Sequence, residues 1–294
     1  MDTPSNINVS AVSEAALERA AQLAVANAVA SAFAEDPVIG ADLSRAISVL
    51  GSVVKRHGLL LQKTLADALA ASDRFDVLVD VALPVTEAAH ELLLGKNSVE
   101  DLARISIRAD SAAARIVTAD IVVIDPEAGW AGAYDVKRGN GATESRRRRP
   151  IEHDLRATRL ILASYLGKRG YENITSVTTG VIDYYGSSGF SKELKIERDE
   201  LDAHFGVPVE DTLDVMTVKL RRALHAELPN LFGDALRSIR RDVSKTKETA
   251  AVTVELAQNH WTEHVTVQNL LNARPAGPGP RKQPAYRMPI SGAA

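Results

Sequence analysis

The chain has 294 residues, 45% of them hydrophobic and 25% charged, with a net charge of −3 and no cysteine. This is the make-up of a globular protein with one large domain or two small ones. It excludes disulfides, thiolate metal sites, cysteine nucleophiles and a globally basic nucleic-acid binder.

No apolar run reaches the ~18 residues of a membrane span, and the first residues lack a basic stretch followed by an apolar core. The expected location is the cytoplasm, without membrane contact. Residues 1–10 are polar. Residues 12–34 are rich in alanine, with Ser13 as N-cap, and predict a helix whose small-residue face packs closely on a neighbour. Residues 42–55 place Leu43, Ile47, Leu50 and Val54 at helical spacing. Arg56-His57-Gly58 reads as punctuation, and residues 59–71 as a further helix with Gln62 beside its leucine stripe.

Residues 76–83 predict a strand stopped by Pro84, then a short helix over 85–94 and another from Ser98 to about Ile107. Beyond the hairpin described below, residues 140–150 read as a loop holding Arg146, Arg147, Arg148 and Arg149. Residues 151–169 form an amphipathic helix, 174–185 a strand, and 201–205 a brief helix. A helix from Pro208 to Leu228 is expected to break at Pro229 and resume over 230–245, while 250–271 fits helix or strand. From residue 273 the composition turns to Pro and Gly, a tail without a core.

The informative stretch is 116–139, IVTADIVVIDPEAGWAGAYDVKRG. It reads as two strands, 116–125 and 133–138, around a Pro/Gly turn. Carboxylates and an ammonium in mostly apolar strands need a reason, because unpaired buried charge is costly. With about six residues of loop, Asp120 falls opposite Lys137 and Val122 opposite Asp135. Paired residues share a face, so Asp120, Asp135 and Lys137 cluster, and Asp125 flanks the turn on the other face. Two carboxylates with the Val136 carbonyl suit Mg²⁺. Such a metal lowers the pKa of a bound water and neutralises a scissile phosphate, with Lys137 beside it.

The pattern Ala119-Asp120-Ile-Val-Val-Ile, a turn, then Asp135-Val136-Lys137 resembles the PD-(D/E)xK nuclease superfamily, to which many restriction endonucleases belong. The resemblance spans roughly residues 55–185 and departs from the motif in having Ala rather than Pro before Asp120. It implies an α/β fold, a restriction-endonuclease-like mixed central sheet flanked by helices. It also implies a helix residue facing the site, for which Gln62 is the candidate, and basic residues on the following helix near the scissile phosphate, Arg156 and Arg159.

The four consecutive arginines lie where a phosphate backbone can run. His57, His153, His204, His225, His260 and His264 show no convincing metal pattern, and no Gly-Lys-Ser/Thr loop supports a nucleotide cofactor. The expected organisation is an N-terminal helical region (1–54), a nuclease core (55–189), a mostly helical C-terminal region (190–272) and a tail (273–294). The expected function is Mg²⁺-dependent cleavage of double-stranded DNA, foremost by a type II restriction endonuclease. Such an enzyme acts as a homodimer, since one site cuts one strand, with the N-terminal helices as dimer surface. The alternatives are a repair or mobile-element nuclease, or a non-cleaving nucleic-acid-binding or assembly protein.

Overall fold

The structure, a computed structural model, describes residues 12–95, 97, 101–102, 105–109 and 113–271, with the backbone alone over 248–271. The chain is α/β, and divides into two compact units, Met1–Ala235 and Leu236–Ala294. In the first, five strands form one mixed sheet: β1 (Asp76–Thr86), β2 (Ala113–Asp125), β3 (Trp130–Lys137), β4 (Ser176–Asp183) and β5 (Lys195–Glu197), in spatial order β1-β2-β3-β4-β5. The β1–β2 and β2–β3 pairings are antiparallel, and β3–β4 and β4–β5 are parallel.

The helices are α1 (Glu14–Ala30), α2 (Ala41–Ala70), α3 (Glu87–Leu94), α4 (Ser145–Gly167), α5 (Leu201–Phe205) and α6 (Glu210–Leu271). Helix α2 covers one sheet face. Its Leu61, Leu65 and Leu69 meet Ile121, Val123, Tyr134 and Val136, with Phe205 and Met216 completing the layer. Helix α4 covers the other, with Leu160, Ile161 and Leu166 against Val122, Ile124, Ala131 and Ala133. Tyr134 lies across Gly132, where a Cβ would collide with its ring, so this strand position accepts no side chain.

Several expectations change. The 42–55 and 59–71 helices are one, running through His57 and Gly58. Packing on both sides outweighs the roughly 1 kcal/mol that a helical glycine costs. Pro84 does not stop β1, which continues to Thr86. β1 is an edge strand of the sheet, where a missing N–H is tolerated. Pro229 does not break α6, and the 250–271 segment is helical. The arginine run is not loop but the first turns of α4, which begins at Ser145 and contains Pro150. β5 was not expected. Ser98 lies outside the described residues, and 105–108 is not helical.

The alanine face of α1 is spent within the chain. Ala21, Ala24, Val25 and Ala28 pack on Ala46, Val49 and Val53 of α2 and on Leu220 and Leu231 of α6. In the second unit, the visible part of α6 exposes Leu236, Ile239 and Val243. Among the described residues no helix is long and apolar enough to cross a membrane. Residues 273–294 lie outside the described residues.

Candidate active site

The hairpin turn is tighter than six residues. Asp125 pairs with Trp130 and Val122 with Ala133, leaving 126–129 as loop. Asp125 fixes this turn: its Oδ1 accepts from Ala128 N at 2.9 Å, and its Oδ2 from Arg74 Nε at 2.7 Å. Burial pushes its carboxyl up, but these donors overcome it and hold Asp125 below the usual range. The register therefore differs by two residues from the expected one. One further step along it sets Asp120 opposite Asp135, not Lys137. A shift of two preserves side-chain parity, so Asp135 and Lys137 keep a common side, and Asp120 joins them through its bond to Val136 N.

β2 pairs with β3 only over Ile121–Asp125, whereas its pairing with β1 continues to Ala113. The sheet thus forks at Asp120, where β3 departs. The β1–β2 ladder is also interrupted there. Val79 pairs with Ile121 and Val81 with Ala119, but Asp80 has a left-handed backbone, φ 51°. Across this break the alternation inverts. Ile121 and Val123 belong to the α2 core, yet Ala119 and Val117 pack with the α4 core; Val77 and Val81 divide in the same way. The Asp120 side chain, at the inversion, turns into the fork, and its Oδ2 accepts from Val136 N at 2.7 Å. The Val136 carbonyl shares the side of its own N–H and faces the same gap.

The other members converge here. Lys137 Nζ is hydrogen-bonded to Asp135 Oδ1. Gln62, reaching from α2, donates Nε2 to the Asp120 carbonyl at 3.0 Å and to Asp80 Oδ1 at 2.9 Å. Burial, and then the Asp135 carboxylate beside it, push Asp120 up to about 7, against the opposing pull of the Val136 N–H and Lys137. Asp80 escaped sequence reasoning. An acid inside a β-branched run was the available signal, and Asp is among the few side chains that tolerate a left-handed backbone.

The donor set suits Mg²⁺. Among the described residues no group of three or more His, Asp and Glu side chains is arranged to hold a metal ion. Mg²⁺ needs fewer, one or two carboxylates with waters and substrate phosphates. The carboxylate whose ionisation is opposed by its neighbour is where a divalent cation gains most.

The arginines fall into two groups. Arg146, Arg147 and Arg149 are exposed and make no ion pair among the described residues. Arg148 donates to the Gly189 carbonyl at 2.5 Å and lies near Glu152. Arg156 is ion-paired with Glu193 and Glu152, and Arg159 donates to the Leu102 carbonyl at 3.2 Å. Both line a cavity of about 300 Å³ with Leu160, Thr179 and Leu194, apart from the arginine run. Of the histidines, His153 meets His90, which the sequence reading passed over, Nε2 to Nδ1 at 2.9 Å, without a third ligand among the described residues. Comparison with family models, curated proteins and solved structures finds no match for this chain.

Proposed function

We propose that the chain is a Mg²⁺-dependent DNA endonuclease with a restriction-endonuclease-like fold of the PD-(D/E)xK kind, acting as a homodimer in type II restriction. The observation that carries this reading is the convergence of Asp120, Asp135, Lys137 and Gln62 on one fork of the sheet. Asp120, Asp135 and the Val136 carbonyl would hold the metal. When bound, Mg²⁺ acidifies a water and neutralises charge on the scissile phosphate.

The protein's own groups set the geometry. Gln62 fixes the Asp120 backbone, and the Val136 N–H fixes its carboxylate. With Asp135 on the cation, the Lys137 ammonium would orient the attacking water and stabilise the developing phosphate charge. Arg146, Arg147 and Arg149 carry positive charge at the positive end of a helix, which is unfavourable in isolation. A polyanion along the start of α4 reverses that sign.

The test is purified protein with supercoiled plasmid and Mg²⁺. Discrete double-strand fragments, abolished by EDTA and by Asp135→Ala, are the expected result. Lys137→Ala is expected to slow cutting by about 10²–10³-fold, typical of removing one charge-stabilising group. Nicking or end-trimming would move the reading to a repair or mobile-element nuclease. Absence of metal-dependent cleavage of any DNA or RNA would overturn it.

A further inference from the structure

A second hollow, of about 200 Å³, includes His57, Arg138, Tyr185 and Arg221 among apolar walls such as Val53 and Leu220. Arg138 follows Lys137 directly, one residue beyond the end of β3, so the hollow adjoins the carboxylate fork along the chain. The Arg138 Nε donates to His57 Nδ1 at 3.0 Å, and its guanidinium stands 5.2 Å from the Tyr185 ring centroid. Because Nδ1 accepts, the imidazole proton sits on Nε2, which donates to Thr217 Oγ1 at 3.0 Å.

His57 is thereby neutral. Burial first, and Arg138 second, lower it to about 4. An arginine anchored on a neutral imidazole, not on a carboxylate, keeps its charge uncompensated. Arg221 is exposed and has no partner among the described residues, and no Asp or Glu lines the hollow. Two guanidiniums over an apolar, aromatic-walled concavity are complementary to an oxyanion attached to a flat or apolar body.

We propose that this hollow binds the phosphate of a nucleotide, with its oxygens between Arg138 and Arg221 and its sugar or base against Tyr185, Val53 and Leu220. Phosphate is the anion that guanidinium forks match bidentately, and an aromatic platform accepts any base. The volume is below the roughly 300–1,000 Å³ of sites that enclose a whole drug-sized ligand, so one nucleotide unit enters only in part. The phosphate comes from a free nucleotide or from a strand running past the fork. The strand source rests on the nuclease reading, whereas the free source does not.

The experiment is a titration of dAMP, inorganic phosphate and a 12-nucleotide single strand in EDTA, where nothing is cut. The proteins compared are wild type, Arg221→Ala, Arg221→Lys and, as neighbour control, Arg222→Ala. Arg221→Ala is expected to weaken at least one ligand by about tenfold or more, the loss of a charge-assisted hydrogen bond. Arg221→Lys recovers part of that loss, and Arg222→Ala changes binding less than twofold. Loss seen with dAMP identifies a free-nucleotide site, and loss confined to the oligonucleotide identifies a strand contact. The proposal is overturned if no ligand binds, or if Arg221→Ala and Arg222→Ala weaken binding equally. A protein that binds dAMP through Arg221 yet cuts no plasmid would sink the nuclease reading alone.

Discussion

Asp120 concentrates the chemistry of this protein in one titration. A carboxyl raised to about 7 in the folded chain, against ~3.9 unfolded, binds its proton more tightly when folded. Its contribution to stability is therefore present at low pH and lost as pH rises from ~4 through ~7. The metal-free protein is expected to melt at a lower temperature at pH 8 than Asp120→Asn does, and the difference should shrink as pH falls below ~7 and vanish only below ~4. Addition of Mg²⁺ at pH 8 is expected to raise the wild-type melting temperature and to leave Asp120→Asn and Asp135→Asn nearly unmoved. Asp125 works in the opposite sense. Its lowered carboxyl stabilises the fold above ~4 and loses that contribution as pH falls.

Gln62 offers a further test. Gln62→Ala removes a bond to a backbone carbonyl and one to Asp80. It is expected to cost about 1 kcal/mol in a denaturant melt while reducing plasmid cutting about tenfold, the rate following the geometry of Asp120. Gln62 was legible as one polar residue beside an apolar stripe. Asp80 was not, because sequence shows a strand's composition but not the sign of one backbone angle.

At the scale of elements, the fork depends on a pleat that inverts. Asp80 pays roughly 1 kcal/mol for its left-handed backbone, and in return both strands change the face they offer to each core. Asp80→Gly is expected to keep the inversion and near-wild-type stability. Asp80→Val, β-branched at positive φ, is expected to destabilise by about 2 kcal/mol or more and to scramble the site, checked by urea melts with cleavage assays.

This inversion explains how far the hairpin could be read in advance. Strict alternation grouped Asp120, Asp135 and Lys137 correctly, although the register was off by two and alternation itself fails at Asp120. Helix ends were less legible. Gly58 and Pro229 look like breakers in isolation, but Leu61 and Leu65 beyond the first, and Leu220 and Leu231 around the second, are buried and carry the helices through. The start of α4 was hidden because an arginine run opposes the helix dipole.

For the whole molecule, the small-residue face of α1 binds α2 and α6 of its own chain, leaving any dimer to use other surfaces. Lys219 of α6 adds a link to Glu14 and Glu18. Ending the chain at Ala235 removes the second compact unit without touching this cluster or the fork. The shortened protein is expected to unfold cooperatively, with a melting temperature within a few degrees of full length, by scanning calorimetry. A non-cooperative transition would show that 236–294 is needed for the first unit to fold. The two-unit division was not legible in the sequence, because α6 continues across it with a helical pattern.

The bond from Val136 N to Asp120 has a consequence for testing the proposed activity by substitution. Where β3 loses its neighbour, the side chain of Asp120 stands in for the missing strand. Alanine there deletes the proposed ligand and also orphans a backbone donor, at about 1–3 kcal/mol, so loss of cutting in Asp120→Ala would have two causes. Asparagine keeps an acceptor for that N–H while removing the charge. The pair of variants then separates architecture from chemistry at a residue that serves both.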